Sequence, residues 1–259
     1  MVVADLHVHT TNSDGTFTLE TLPKAASDAG VEAVAVTDHD RLHPDLDQPV
    51  TTVGELEVIH GIELRVEADI GRVDLLGYGV HQTAQLESLV EGLQDNRIER
   101  ARKIVARVED EVGVELDVEF QPGVGRPHIA RAIDDSTAPY SYTEAFDHLI
   151  GDDGPCYVSR DIPSFERGCA CLAEACDIVG LAHPFRYADP ERALELTAHL
   201  DAVELHYPYG RSVDADLVRQ TAAEYDLLVT GGSDAHEETL GVAGLDREEY
   251  EAVRSRLAR

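Results

Sequence analysis

The stretch Asp5-Leu6-His7-Val8-His9-Thr10-Thr11-Asn12-Ser13-Asp14-Gly15 places metal-preferring side chains directly after an apolar run. The preceding residues 2–4 are apolar and predict a buried strand, and a side-chain period of two then puts His7 and His9 on the same strand face. Asp14 follows in a Ser-Asp-Gly turn, where Gly15 permits a sharp reversal of the chain toward the two imidazoles. This spacing predicts a metal site at the end of the first strand.

The same arrangement, an apolar strand that leads into histidine or a carboxylate, recurs along the chain. It precedes the segments Asp38-His39-Asp40, His60-Gly61-Ile62-Glu63, His183-Pro184, His206 and Gly232-Ser233-Asp234-Ala235-His236. Helix-like segments separate these strands, and such alternation favours parallel pairing. Because functional groups gather at the carboxyl ends of barrel strands, the pattern predicts a barrel or a related α/β sheet whose strand ends converge on one site.

These motifs resemble those of the PHP (polymerase and histidinol phosphatase) family of metallophosphoesterases along the whole chain. The matching segments are His7-Val8-His9, Ser13-Asp14-Gly15, Thr37-Asp38-His39-Asp40, Gly61-Ile62-Glu63, Ala182-His183-Pro184 and Ser233-Asp234-Ala235-His236. The resemblance implies an α/β fold, a distorted (β/α)7 barrel with a helical insertion. It also implies two or three divalent metal ions, drawn from Mn, Zn, Fe and Mg.

The resemblance further implies which side chains hold each ion. One ion would be surrounded by the group His7, His9, Glu63 and Asp234. Glu63 would bridge to a second ion, which His183 also holds. A third ion would be held by the group Asp14, His39 and His236.

One position departs from the family pattern. Members often carry histidine in a strand of the form His-apolar-apolar-Gly-Tyr, whereas this chain has Asp74 at that place, in Val73-Asp74-Leu75-Leu76-Gly77-Tyr78. A carboxylate is a harder ligand than an imidazole. Asp74 therefore either favours Mn²⁺ or Mg²⁺ over Zn²⁺ at this position or leaves the ion loosely held.

The ligand set predicts hydrolysis without a nucleophile from the protein. Clustered ions bridged by a carboxylate can lower the pKa of a shared water from about 15.7 toward about 7. The reactive group would then be a metal-bound hydroxide held by Glu63 and Asp234, and the sequence does not identify a general acid. The chain has neither a phosphate-binding loop of the Walker type nor a dinucleotide-binding glycine fingerprint, which argues against NTPases and dinucleotide enzymes.

A helical insertion interrupts the strand and helix pattern. Apolar residues spaced by three or four positions between Leu86 and Val112 predict an amphipathic helix or a broken pair of such helices. We expect barrel segments at 1–84 and 155–259, on either side of an insertion at 85–154.

The insertion contains the segment Gly125-Arg126-Pro127-His128-Ile129-Ala130-Arg131. It is similar to a segment of family members that dephosphorylate nucleoside 3′,5′-bisphosphates or trim short RNAs from the 5′ end. By that resemblance the candidates to bind substrate phosphate are Arg126, His128 and Arg131, with Arg160 and Arg186 as further candidates. The alternative is that these arginines pair with the abundant carboxylates.

Three functions fit these patterns. The first is a metal-dependent phosphoesterase that acts on nucleotides, either nucleoside 3′,5′-bisphosphates or short 5′-phosphorylated oligoribonucleotides. The second is a phosphatase of another small metabolite such as histidinol phosphate, and the third is a noncatalytic, metal-binding accessory module. A nucleotide with two phosphates needs a second anion site away from the metals, so the arginines favour the first.

The composition indicates a protein adapted to high salt. The chain has 51 acidic and 21 basic residues, a formal net charge of −30. Such a surface suits molar salt, where charges are screened over about 3 Å, and it disfavours tight binding to long nucleic acid. The N-terminus lacks the pattern of a signal peptide and no apolar run is long enough to span a bilayer, so we expect a cytoplasmic protein without membrane contact.

We expect the melting temperature to fall as the salt concentration is lowered. Repulsion among the excess carboxylates is screened over only about 3 Å at 1 M salt but reaches about 30 Å at 0.01 M. Thermal unfolding followed by circular dichroism between molar and millimolar KCl measures this. A melting temperature that stays constant or rises on dilution would contradict the adaptation to high salt.

Overall fold

The computed structural model describes residues 1–237 and 239–257. The strands of its mixed sheet are β1 (Ala4–Val8), β2 (Ala33–Val36), β3 (Val50–Val53), β4 (Leu56–Ala68), β5 (Gly71–Val80), β6 (Cys176–Leu181), β7 (Ala202–His206) and β8 (Leu228–Gly231). The α-helices are α1 (Leu22–Ala29), α2 (Ala84–Val112), α3 (Arg126–Asp134), α4 (Tyr142–Ala145), α5 (Phe165–Ala175), α6 (Pro190–Glu195), α7 (Ala215–Tyr225) and α8 (Arg247–Arg254). Within the described ranges, no helix is both long and apolar enough to cross a membrane.

The chain divides into two compact units. The first unit comprises residues 1–90 and 162–259 and contains every strand, whereas the second comprises residues 91–161. Helix α2 begins in the first unit and ends in the second, and it covers the predicted amphipathic segment. The predicted insertion boundaries, 85 and 154, remain a prediction.

The sheet of the first unit follows the order β1-β2-β4-β5-β6-β7-β8, and β3 pairs with β4 beside this path. The pairs β1–β2, β2–β4, β6–β7 and β7–β8 are parallel. The end of the sheet beyond β8 returns to β1, because the His9 amide donates to the Ala235 carbonyl over 3.0 Å and the Ala235 amide donates to the His7 carbonyl over 3.2 Å. The nearly closed, barrel-like α/β sheet confirms the predicted fold class.

The middle of the sheet corrects the expectation of parallel pairing. Strand β4 pairs antiparallel with β3 and β5, and β5 pairs antiparallel with β6. Only residues 69 and 70 separate β4 from β5, and a connection this short forms a hairpin because a parallel pair needs a long crossover. The apolar pattern predicts a strand that ends at Ile59. Strand β4 instead continues through His60 and Glu63 to Ala68.

Each unit has its own apolar core. In the first unit, side chains from the strands pack with those of helix α8; Leu6, Ile59 and Tyr78 are examples that are fully buried. In the second unit, α2 packs against α3 through residues such as Ile104 and Ile129. Strand β1 is buried along its whole length, as expected for a strand covered on both faces. A ligand on such a strand is held by the surrounding core.

Gly232 allows the chain after β8 to lie against β1. A Cβ atom at this position would stand 2.3 Å from the His7 backbone nitrogen and 2.4 Å from the His7 Cβ. We expect Gly232→Ala to lower the free energy of unfolding by about 3 kcal/mol, the upper end of the usual cost of overpacking, because backbone atoms must move. Chemical denaturation of the metal-free protein measures this change.

Gly92→Ala is the matched control. Gly92 lies on the exposed side of α2, and no atom lies within 4 Å of the position that an added Cβ would take. Alanine should therefore stabilise the helix by up to about 1 kcal/mol. Equal stability of the Gly232→Ala protein and the unaltered protein would contradict the close approach to β1.

Candidate metal centre

The candidate ligands come from the carboxyl ends of neighbouring strands in the first unit. His7 lies in β1 and His9 just after it, and Asp234 follows β8. Glu63 reaches the same level although it lies inside β4, because β4 extends past the end of β2. The segment after β2 pairs with this extension, through Asp40 N to Glu63 O at 2.8 Å and Glu63 N to Asp38 O at 3.2 Å.

The structure brings nine side chains predicted as metal ligands into one cluster: His7, His9, Asp14, His39, Glu63, Asp74, His183, Asp234 and His236. Three groups of side chains have ligand atoms within 4.8 Å of one another: His9 with Asp14, His39 and His236; His7 with His9 and Glu63; and Glu63 with Asp74 and His183. Asp234 joins the second group, because its Oδ1 lies 3.1 Å from His9 Nε2 and 3.4 Å from His7 Nε2. These groups could hold divalent ions.

Buried ring nitrogens test whether the cluster suits a metal. His7 Nε2 is buried and has no hydrogen-bond partner, although Glu63 Oε1 stands 3.5 Å away and Asp234 Oδ1 3.4 Å away. His9 Nδ1 is buried without a partner as well. Leaving a buried polar atom unsatisfied costs about 1–3 kcal/mol. An ion between an imidazole nitrogen and carboxylate oxygens would satisfy such atoms, so the residues around His7 and His9 fit a divalent metal.

The carboxylates of the cluster are kept ionised. Burial alone would raise the pKa of Asp14, but the facing rings of His39 and His236 hold it far below its ordinary value of 3.8. Burial would likewise raise the pKa of Glu63, and the rings of His39 and His7 hold it well below 4.5. Metal ligands must be deprotonated, so these groups are ready to bind a cation at neutral pH.

His7 reports the unbalanced negative charge in the cluster. Burial lowers the pKa of this imidazole, but Glu204, Asp234 and Glu63 outweigh burial and raise it well above 6.5. The carboxylates that converge on this ring therefore favour its protonated form when no metal is bound. Metal binding would displace this proton, so affinity for a metal should decrease as the pH falls through the raised pKa of His7.

Glu204 is a functional residue that the sequence interpretation missed. Its side chain is fully buried; Oε1 lies 3.1 Å from His7 Nδ1, and Oε2 accepts the His183 backbone N–H over 2.7 Å. A carboxylate on Nδ1 orients the ring and leaves Nε2 to face the cluster. The signal in the sequence was an acidic residue inside the apolar run 202–205, because a buried carboxylate needs a partner.

His206 was predicted to enter the site from the end of β7, and this prediction is wrong. Its Nε2 lies 2.8 Å from Glu249 Oε1 of helix α8, outside the three ligand groups. The pairing of β7 with β8 shifts register between Glu204 and His206. Such an irregularity re-aims the side chains of a strand, and here Glu204 faces the cluster instead.

Asp38 holds the loop that carries Asp14. One of its oxygens accepts from the Thr10 backbone N–H at 2.8 Å and the Ser13 hydroxyl at 2.7 Å. The other accepts from the Thr10 hydroxyl at 2.7 Å and the Asn12 amide at 3.1 Å. The polar residues between His9 and Asp14 are therefore positioned by one buried carboxylate.

Asp74 lies beside His183, but both of its oxygens bind an arginine. Arg65 Nε donates to Oδ1 and Arg65 Nη2 donates to Oδ2, each over 2.7 Å. The Asp74 residue is only 3% exposed, and its Oδ2 lies 3.7 Å from His183 Nε2. The sequence interpretation did not include Arg65.

Arg186 is the predicted phosphate-binding residue that lies in the first unit. Its Nη1 lies 3.0 Å from Asp234 Oδ2 and 3.0 Å from the Tyr207 hydroxyl, which itself donates to Asp234 Oδ2 over 2.8 Å. The Arg186 side chain is about half exposed, at 52%. The guanidinium thus stands at the rim of the ligand cluster and is accessible from solvent.

The other predicted phosphate-binding residues lie in the second unit. Arg100 and Arg126 lie over the same Tyr157 ring, with their Cζ atoms 5.8 Å and 5.9 Å from its centroid. Burial, together with the positive charges of Arg126 and Arg160, lowers the pKa of Arg100 to about 9. Arg126 Nη1 also donates to Asp152 Oδ1 over 2.6 Å. We call Arg100, Arg126 and Arg160 the arginine cluster.

His128 and Arg131 have contacts of their own. His128 Nδ1 accepts the Gly125 backbone N–H over 3.2 Å and so caps the start of α3. The Arg131 side chain is exposed and lies over the Tyr142 ring at 5.9 Å. Arg131 is five residues after Arg126, which places the two on different faces of the helix. Their roles in binding substrate remain predictions.

A family model for the PHP domain matches residues 5–255 of this chain. The chain belongs to the PHP domain family. Its membership and the cluster of carboxylates and imidazoles identify a metal-dependent hydrolase of phosphate esters.

Three curated relatives have similar degrees of identity to this PHP protein. A phosphoribosyl 1,2-cyclic phosphate 1,2-diphosphodiesterase of Eggerthella lenta is 29% identical, over 91% of this chain and 94% of the relative. The 5′-3′ exoribonuclease Rnm of Escherichia coli is 28% identical, over 91% and 86%. A 3′,5′-nucleoside bisphosphate phosphatase of Chromobacterium violaceum is 27% identical, over 72% and 68%.

Two solved structures share the PHP-type fold. A Bifidobacterium adolescentis protein described as a metal-dependent phosphoesterase superposes with a TM-score of 0.82 at 24% identity, covering 98% of this chain and 96% of that one. An amidohydrolase from Chromobacterium violaceum superposes with a TM-score of 0.75 at 23% identity, covering 98% and 96%. At these identities the comparison establishes the fold.

We expect Glu204→Gln to weaken metal binding by about 10–100-fold, the usual effect of losing a carboxylate behind a ligating histidine. The amide keeps the shape of Glu204 but removes the charge that orients His7. Calorimetric titration of the metal-free protein with Mn²⁺ measures the affinity.

Glu249→Gln is the matched control, because Glu249 pairs with His206 of the same strand outside the ligand groups. This variant should bind Mn²⁺ like the unaltered protein. Equal affinities for all three proteins would show that Glu204 does not support the metal centre.

Proposed function

We propose that this protein hydrolyses phosphate esters of nucleotides, either nucleoside 3′,5′-bisphosphates or short 5′-phosphorylated oligoribonucleotides. The observation that carries the proposal is the Arg186 guanidinium, which is half exposed at the rim of the ligand cluster and lies 3.0 Å from Asp234 Oδ2. A substrate with two phosphates needs a cation for the phosphate that is kept, and Arg186 offers one beside the ligand groups. The second unit, taken by itself, contains the arginine cluster, whose role in binding substrate follows from the family resemblance of the segment 125–131.

The named activities of two relatives support this substrate class. The Escherichia coli relative is a 5′-3′ exoribonuclease and the Chromobacterium violaceum relative is a 3′,5′-nucleoside bisphosphate phosphatase. Both names describe substrates with more than one phosphate group along a ribose backbone. A phosphatase cleaves a phosphomonoester and an exoribonuclease cleaves a phosphodiester, and in both reactions water displaces an oxygen from phosphorus.

The side chains of the cluster have distinct roles in this proposal. Divalent ions held by the ligand groups would supply an activated water and neutralise charge on the phosphoryl oxygens. Asp234 directs Oδ1 toward His7 and His9, because Oδ2 is held by Tyr207 and Arg186. Arg186 is anchored on one side and exposed on the other, so it can bind a phosphate oxygen in a defined orientation.

The arginine cluster is suited to an anion because its charges repel one another. Burial and the neighbouring guanidinium groups already lower the pKa of Arg100 to about 9. A bound phosphate would offset this repulsion and accept charge-assisted hydrogen bonds. The chain as a whole is acidic, with a net charge of −30, so such a concentration of arginine is unlike the rest of its surface.

A cyclic phosphodiester of a phosphorylated ribose is the second candidate substrate. The Eggerthella lenta relative is named for such a compound, and its 29% identity does not separate it from the other relatives. This substrate also carries two phosphate groups, so the arginine cluster would serve it equally well. Histidinol phosphate has a single phosphate and leaves the arginine cluster without a role.

A screen that separates the reaction products by anion-exchange chromatography tests the substrate class, because a 5′-phosphorylated dinucleotide releases mononucleotides and a bisphosphate releases inorganic phosphate. The purified protein, supplied with Mn²⁺ in molar KCl, is compared on 3′,5′-bisphosphates, 5′-phosphorylated dinucleotides, phosphoribosyl cyclic phosphate and histidinol phosphate. The highest kcat/KM should belong to a nucleotide substrate. A higher value for the cyclic phosphate would select the second candidate, and a higher value for histidinol phosphate would exclude both.

We expect Arg126→Gln to lower kcat/KM for the nucleoside bisphosphate about 10- to 150-fold, mainly through KM. The range corresponds to the loss of one charge-assisted hydrogen bond, worth roughly 1.5–3 kcal/mol. Hydrolysis of p-nitrophenyl phosphate, which has one phosphate, should remain unchanged. Steady-state kinetics on both substrates provide the comparison.

Arg219→Gln is the control for loss of one positive charge, since Arg219 is exposed and pairs with the nearby Asp216 in α7. It should leave both reactions unchanged. Equal losses on the two substrates in Arg126→Gln would mean that Arg126 has a structural role, and melting temperatures of the variants identify a folding defect.

A further inference from the structure

The group formed by Glu63, Asp74 and His183 differs from the other ligand groups because an arginine lies within it. Arg65 binds both oxygens of Asp74 in a two-pronged contact, with two N–O distances of 2.7 Å. The Arg65 side chain is 31% exposed, whereas the Asp74 side chain is 5% exposed. Because Asp74 binds the Arg65 guanidinium through two hydrogen bonds, this arginine stays charged near neutral pH and the group contains a fixed cation.

The pairing of strands builds this contact. Arg65 of β4 and Asp74 of β5 are direct partners in the antiparallel register, so their side chains face each other on one side of the sheet. Hydrogen bonds hold the backbone on both strands: the Arg65 amide donates to Asp40 Oδ1 over 2.9 Å, and the Asp74 amide donates to the Tyr187 hydroxyl oxygen over 2.9 Å. The ion pair is therefore part of the sheet and not a chance surface contact.

An ion in this group would have to share an oxygen with the arginine. Asp74 Oδ2 lies 3.7 Å from His183 Nε2, and this same oxygen accepts from Arg65 Nη2. A metal about 2.1 Å from Oδ2 would lie within about 4.8 Å of Nη2, which is itself 2.7 Å from that oxygen. Two positive charges at that distance repel each other strongly in a buried site.

In the group around His7 the described contacts of the ligand atoms are with imidazoles and carboxylates. Arg186 contacts Asp234 through Oδ2, which leaves Oδ1 directed at His7 and His9. In the group around Asp14, this carboxylate faces the rings of His39 and His236. Among the described residues, neither carboxylate is bound at both oxygens by a guanidinium, in contrast to Asp74.

We propose that the Arg65 guanidinium takes the place of one metal ion, so that the centre holds two divalent ions and one fixed organic cation. The ions occupy the group around His7 and the group around Asp14. Asp74 is the counter-ion of Arg65 and not a metal ligand. The number of ions in the PHP centre does not depend on which phosphate ester is the substrate.

Counting bound ions in three forms of the full chain tests the proposal. Each protein is saturated with Mn²⁺, freed of excess metal on a desalting column and analysed for manganese by mass spectrometry. The unaltered protein should retain two ions. Asp74→Asn should retain the same number, because the amide still accepts from Arg65 and no ligand has been lost.

The double variant Arg65→Gln with Asp74→His tests the converse. It removes the cation and adds an imidazole beside His183, so one further ion should be retained. This third ion should bind at least tenfold more tightly than any third ion binds to the unaltered protein. Asp234→Asn is the control, since it alters a carboxylate next to His7 and should lower the count. Circular dichroism and melting temperature establish that each protein is folded.

Three tightly held ions in the unaltered protein, with one lost in Asp74→Asn, would overturn the proposal. Failure of a folded double variant to gain an ion would overturn it as well. If the double variant does not fold, the count for Asp74→Asn still decides. The ion count is measured independently of activity. An unexpected ion count would therefore not contradict the proposed nucleotide substrate, and failure to hydrolyse nucleotides would not contradict the ion count.

Discussion

The buried carboxylates at one end of the sheet are the constraint on which the rest of the structure depends. Glu63 and Glu204 lie at or near zero exposure, the Asp234 side chain is 9% exposed, and all three face the His7 imidazole. Burying ionised groups is costly unless they are paired, and histidine rings compensate only in part. The raised pKa of His7 expresses the remaining deficit of positive charge. Divalent ions are a natural complement, and the fold holds His7 and Glu63 in core strands while the other ligands follow strand ends.

The mixed sheet is what lets one end collect so many ligands. Parallel strands bring His9 and Asp234 to their carboxyl ends, whereas the long antiparallel strand β4 brings Glu63 to the same level from its interior. The hairpin of β4 and β5 places Arg65 opposite Asp74 at the edge of the cluster. Strand extension and strand register therefore decide both which carboxylate joins the ligands and which one is neutralised by an arginine.

Positive charge is scarce in this protein, and part of it lies at sites suited to an anion. The net charge is −30, yet Arg186 stands at the rim of the ligand cluster and the arginine cluster is concentrated in the second unit. On an acidic surface, such sites distinguish a small phosphorylated substrate from a long polyanion, because the surrounding carboxylates repel an extended chain of phosphates. This distribution supports the proposed preference for short substrates.

The sequence by itself determined the ligands that depend on local spacing. A period of two along β1 is enough to place His7 and His9 together, and the turn at Ser13 and Gly15 indicates that Asp14 returns toward the same strand end. Tertiary structure alone decided the rest, because Glu204 of β7 meets His7 of β1 across 197 residues of sequence, and Arg65 meets Asp74 through pairing across a hairpin. Those contacts depend on which residues of two strands stand opposite each other, and the spacing of residues along one strand carries no record of that alignment.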